Sequence, residues 1–188
     1  YNSYPVFLSG VPSLRLSNSS FENMVIYPDS ALIKTGILSE LEVNNVNFTK
    51  IRSYILGDDT NIILDINGFD IGQSTGHSIS KVVISESELA FINVNRLTNY
   101  ALADKTISIV DFEYRNSFFA DKNNLLSFTK MELDILFSIV LSNIRFNNIE
   151  FAIKGNLILF EQQLRNPLTV SNLQIEDTKN SYIYLEAS

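Results

Sequence analysis

One arrangement of residues returns along this chain, and it restricts the fold more than any other feature. The stretch Ile139–Phe146, IVLSNIRF, follows an eight-residue template: apolar, any, apolar, any, Asn, any, any, apolar. Near-copies are LRLSNSSF at Leu14, LEVNNVNF at Leu41, LDINGFDI at Leu64, LAFINVNR at Leu89, ISIVDFEY at Ile107 and LTVSNLQI at Leu168. Asn18, Asn45, Asn93, Asn143 and Asn172 hold the fifth place, with Gly68 and Asp111 in the other two copies. Successive starts are separated by 27, 23, 25, 18, 32 and 29 residues, a mean near 26. A second register, SALIK at Ser30, NIILD at Asn61, NLLSF at Asn124, NLILF at Asn156 and SYIYL at Ser181, falls between the copies.

Alternation with period two marks strands, whereas a helical repeat needs apolar residues three and four apart over ten or more positions. Two short strands per repeat suit a coil that returns on itself and stacks on its neighbour. The expected fold is therefore all-β, a right-handed parallel β-helix of about 6–7 coils over residues 14–188, with residues 1–13 as an N-terminal cap or extension. A β-sandwich is the alternative, since it also uses short alternating strands, but it gives no reason for one residue type to recur at one place. In a stacked coil equivalent side chains form ladders. The recurrent Asn is then expected to turn the chain in a left-handed conformation and to point inward, passing amide hydrogen bonds from coil to coil. Phe21, Phe48, Phe146 and Ile175, three places later, are expected to stack behind it.

These residues resemble those of right-handed parallel β-helix proteins of the pectin-lyase-like superfamily, including its non-enzymatic repeat-built surface proteins and fibres. The resemblance runs from Leu14 to about Leu185. It implies a stacked β-coil; for activity it implies either a structural role or the polysaccharide chemistry of the superfamily's enzymes, which use clustered carboxylates.

Composition narrows the function classes. A net charge of −7 with scattered Lys and Arg argues against nucleic acid or an anionic membrane as partner. The longest apolar run, Leu133–Leu141, contains Asp134 and Ser138 and is far shorter than the roughly 20 residues of a spanning helix. With no Cys and only His77 for imidazole, thiolate and multi-histidine metal sites are excluded, and no cofactor is expected. Nucleotide-binding glycine loops and the Gly-x-Ser-x-Gly elbow are lacking. The only catalytic echo is Asp58 and Asp59 in GDDT with His77 in STGHS, which resemble the paired Asp and Gly-His of polygalacturonases. The other elements of that pattern are missing, so these three are weak carbohydrate-site candidates. Glu86 and Glu88 are read as part of a solvated outer face.

Two sequons occur, at Asn18 and Asn47. Asn18 occupies the ladder and is expected to be buried; Asn47 aligns with outward polar positions and is the glycosylation candidate. The expected function is a structural or adhesive module of an extracellular surface protein or fibre, not an enzyme, associating with further copies or coils and with glycans. The alternative is a carbohydrate-binding or polysaccharide-cleaving β-helix.

Overall fold

The computed structural model describes residues 6–8, 13–27, 31–54, 62–70, 77–94, 97–98, 105–120, 122–129, 137–160 and 168–185. These residues form strands and turns with no helix. In chain order the strands are β1 (Val6–Leu8), β2 (Ser13–Glu22), β3 (Val25–Ile26), β4 (Ala31–Leu38), β5 (Glu40–Thr49), β6 (Arg52–Ser53), β7 (Ile62–Asp70), β8 (His77–Ser85), β9 (Ala90–Val94), β10 (Leu97–Thr98), β11 (Lys105–Phe119), β12 (Asn124–Phe128), β13 (Phe137–Phe160), β14 (Leu168–Glu176) and β15 (Lys179–Leu185). Every pairing among them is parallel, which makes the chain a parallel β-solenoid.

Two walls are stacked. The first runs β2, β5, β8, β11, the first part of β13, then β14; the second runs β1, β4, β7, β9, β12, the last part of β13, then β15. Small sheet β3–β6 adds a side, and β10 pairs with β7. In the first wall Leu14, Leu41, His77, Ile107, Ile139 and Leu168 share one column. In the second, Ile33, Leu64, Ile92, Leu126, Ile158 and Ile183 do.

That register corrects the repeat. Leu64 and Leu89 do not start copies of the first template: β7 and β9 belong to the second wall, with the strands of the second register. Gly68 accordingly pairs with Ile37 of β4 and not with an Asn. The missing first-wall rung is HSISKVVI at His77, concealed because its first residue is His and its fifth is Lys81. First-wall starts are then 27, 36, 30, 32 and 29 residues apart, so each coil is longer than the expected mean.

The interior is a dry column of aliphatic and aromatic side chains. Val43, Ile79, Ile109 and Leu141 lie buried in one row, and Val46, Val82, Phe112 and Ile144 in the next. Rings stack between coils: Phe21 on Phe48 at 5.2 Å, Phe119 on Phe151 at 4.8 Å and Phe128 on Phe160 at 5.0 Å. Phe91 of the second wall links Phe48 and Phe112, at 6.1 and 5.0 Å. Buried serines serve the backbone where the chain bends: Ser87 Oγ accepts from Ile51 N at 3.1 Å, and Ser117 Oγ accepts from Ser87 N at 3.2 Å. Tyr114, fully buried, donates from its hydroxyl to the Leu89 carbonyl at 2.7 Å.

Burial holds the Tyr114 phenol well above the usual tyrosine range. The folded state therefore prefers the neutral phenol, and this contribution to stability is complete below the unfolded-state value and lost as pH rises beyond it. Stability is expected to decline above pH about 10, with Tyr114→Phe reducing the slope of that decline in a chemical-denaturation series. At neutral pH, Phe48→Ala is expected to cost about 3–5 kcal/mol, because the ring is enclosed between Phe21 and Phe91. The same change at Phe21, in an outermost described rung and only partly buried, is expected to cost distinctly less.

Candidate functional site

The polar side chains of this solenoid converge where the first wall bends. Each of its rungs holds two non-glycine residues at positive φ, five positions apart. The first column is Asn18 (49°), Asn45 (57°), Lys81 (52°), Asp111 (55°), Asn143 (54°) and Asn172 (51°). The second is Asn23 (54°), Lys50 (56°), Glu86 (51°), Asn116 (52°), Asn148 (51°) and Asp177 (49°). A left-handed residue breaks the strict in–out alternation of a strand, so two consecutive side chains face outward at each bend. In the β13 rung Leu141, Ile144, Phe146 and Ile149 are buried, whereas Asn143 and Asn148 are exposed.

The ladder therefore lies on the outside. Asn18, expected to be buried, is exposed, as are Asn45, Asn143 and Asn172. An inward amide at a bend would displace the aliphatic column, whereas an outward one still reaches the rung below. Asn45 Nδ2 donates to Asn18 Oδ1 at 2.7 Å, Asn143 Nδ2 to Asp111 Oδ1 at 2.8 Å, and Asn172 Nδ2 to Asn143 Oδ1 at 2.8 Å. In the second column Asn148 Nδ2 donates to Asn116 Oδ1 at 3.0 Å. Asn93 is not part of this ladder. It sits in β9 beside Asp65 and Ser127, half-buried, and lines a hollow of about 370 Å³ with Lys122, Asn123 and Asn124.

Outside the first bend runs a groove of about 470 Å³ lined by Val83, Asp111, Phe112, Glu113, Asn143, Ile144, Arg145, Asn172 and Gln174. Two carboxylates and a guanidinium thus share one surface, a set that polysaccharide chemistry would use. Each is already engaged with a neighbour. Asp111 Oδ1 accepts from Asn143, Glu113 Oε1 lies 3.5 Å from Arg115 Nη1, and Arg145 Nη2 lies 3.9 Å from Glu176 Oε1. These exposed contacts are individually weak, but they run along and between rungs.

The weak candidates do not assemble. Asp58 and Asp59 lie outside the described residues. His77 is only 2% exposed and heads its rung in the column of Leu41 and Ile107, a core position and not a loop. Glu86 and Glu88 face outward on either side of buried Ser87, with Lys50 Nζ 3.7 Å from Glu86 and Arg52 Nε 3.9 Å from Glu88. Among the described residues no group of three or more His, Asp or Glu converges as a metal site, and no helix is long and apolar enough to cross a membrane. Asn47 is exposed in the middle of β5, between Ser20 and Val83.

Lys81 is the costliest residue in the first column, since a side chain with Cβ in the left-handed region is strained by about 1–2 kcal/mol unless it is Asn or Asp. Lys81→Asn is expected to raise stability by about 1 kcal/mol in urea unfolding. Asn143→Leu, which keeps neither the favoured backbone nor the two amide bonds, is expected to cost about 2–3 kcal/mol, and Asn143→Gly about 1. Unaltered stability in Asn143→Leu would refute the role given to the bend. Comparison of the chain with family models, with curated proteins and with solved structures finds no match.

Proposed function

We propose that this chain is a structural or adhesive module of an extracellular surface protein or fibre, a stiff coil stack that displays its outer faces and joins further coils or copies. The observation that carries this reading is the commitment of the outward polar groups. In both bend columns amides and carboxylates link one rung to the next. Lys34 to Asp65 at 3.1 Å and Lys179 to Glu150 at 3.1 Å also run between rungs. Groups committed in this way stiffen the stack. The resemblance to the repeat-built, non-enzymatic members of the pectin-lyase-like superfamily supports the same conclusion. Glycosylation belongs to this reading at Asn47, whose side chain is exposed within an intact sequon.

A second reading, binding or cleavage of a polysaccharide, is favoured by one specific feature, the groove that brings together Asp111, Glu113 and Arg145. Two measurements separate the readings. Electron microscopy of native material, labelled with an antibody against this segment, is expected to mark a fibre or surface; label confined to dispersed particles would overturn the scaffold reading. Incubation with acidic and neutral polysaccharides is expected to release no new reducing ends. Release that disappears in Asp111→Asn and Glu113→Gln would establish the second reading.

A further inference from the structure

Asn47 lies in the column that leads into the outer groove. Its partners in register are Ser20 below and Val83 above, and the column continues through Glu113 and Arg145 to Gln174. Each of these residues sits between the two bends of its rung, and in β5, β8, β11 and β13 the residues on either side of it are buried, so the column faces outward. Val83, the rung directly above Asn47, also lines the groove of about 470 Å³, whose wall goes on to Asp111, Glu113, Asn143 and Arg145. A substituent on the Asn47 amide that turns up the stack therefore enters the groove with no other side chain of its column in the way.

The groove has the chemistry of a site for an uncharged sugar chain. Val83 is the one aliphatic residue of the column and offers an apolar floor to the C–H face or the N-acetyl methyl of a first sugar. An ionised carboxylate has two acceptor oxygens and a guanidinium five donors, so the contacts that Asp111, Glu113 and Arg145 make with their neighbours leave positions for sugar hydroxyls, which both donate and accept. Two carboxylates against one guanidinium leave the groove net negative, which disfavours an acidic glycan. Spacing agrees: a 1,4-linked pyranose advances a glycan by nearly one rung, ~4.8 Å in a parallel stack. Successive sugars then fall at Val83, Glu113 and Arg145.

Attachment supplies what an open groove lacks. Its exposed polar contacts are individually weak, too weak to gather a free sugar from dilute solution. A glycan anchored one rung away is held at an effective concentration on the order of millimolar.

We propose that an uncharged N-linked glycan on Asn47 runs up this column and fills the groove, bracing β5, β8, β11 and β13 from outside. The linkage joins Asn47 Nδ2 to the anomeric carbon of a pyrophosphate-activated oligosaccharide, and the pyrophosphate leaves with an amide proton. Glycosylation of Asn47 is the part of the scaffold reading on which the brace depends; the new element is where the glycan rests. The groove of the polysaccharide reading is then closed by the chain's own sugar.

The test uses the full chain secreted from cultured eukaryotic cells, with occupancy of each sequon read by mass spectrometry of its glycopeptides. Asn47 is expected to be occupied. Under native conditions an amidase that removes N-linked glycans is expected to release the Asn47 glycan at least about tenfold more slowly from the wild-type chain than from Glu113→Ala with Arg145→Ala, because a docked glycan must first leave the groove. Both substituted side chains reach the surface, so the fold is retained. Preventing glycosylation with Asn47→Gln is expected to lower the melting temperature of the wild-type chain by about 2–4 °C and to change that of the double variant little. Equal release rates from the two chains would overturn the brace and leave glycosylation of Asn47 standing. An unoccupied Asn47 would overturn the glycosylation as well. Neither outcome touches the assignment to a fibre or surface, which labelling of native material decides.

Discussion

Everything in this solenoid depends on a backbone conformation that most residues avoid. A strand that is to turn a corner while keeping its inward side chains inward must shift the phase of its alternation, and one residue in the left-handed region does that. The chain uses the device twice per first-wall rung, five positions apart. Asn and Asp fill nine of the twelve places, because their short polar side chains tolerate that region and bond locally. Parallel stacking then adds a second reason for Asn: equivalent amides lie within reach of each other, so the residue that tolerates the bend also bonds the coils. Packing follows from the corners. In the β5, β8, β11 and β13 rungs the interval between the bends puts the sixth and eighth residues into the core, where the Phe48 and Phe112 rows meet Phe91 from the opposite wall.

The fold class was legible in the sequence because both signals are local. Period-two alternation shows at Leu141 and Val43, and the left-handed corner shows at Asn45 and Asn143. Two things were not legible. The first is which wall a strand belongs to. LDINGFDI and LAFINVNR satisfy the template by composition, yet β7 and β9 lie in the other wall, while HSISKVVI belongs to the first with His and Lys at its two diagnostic places. A rung is fixed by its neighbours above and below, and Lys81 is carried into the bend by Asn45 and Asp111 on either side, whatever its own preference. The second is the direction of the ladder. Inward and outward Asn produce the same spacing; only the burial of Val46 and Ile144 immediately after the bend distinguishes them. One further signal was present: a second column of Asn, Asp, Lys and Glu five residues beyond the first, at Asn23, Lys50, Glu86, Asn116, Asn148 and Asp177.

The same regularity weighs on function. A repeat places equivalent groups on equivalent rungs, which suits cohesion between coils. A catalytic site needs inequivalent groups brought together, and so arises where the repeat is broken. In the first bend the break is the run from Lys81 through Asp111 to Asn143, a cation followed by an anion in an otherwise neutral ladder, at the edge of the groove that also holds Glu113 and Arg145. Asp111 illustrates how the break is absorbed on one side: its carboxylate takes the Asn143 amide as an Asn oxygen would, and that step of the ladder is kept. His77 illustrates the same thing in the core, where the chain's single imidazole takes the column of Leu41 and Ile107 and is held away from the outer surface. The departures from the repeat thus keep the register of the rungs around them, and amides of both bend columns bond one coil to the next.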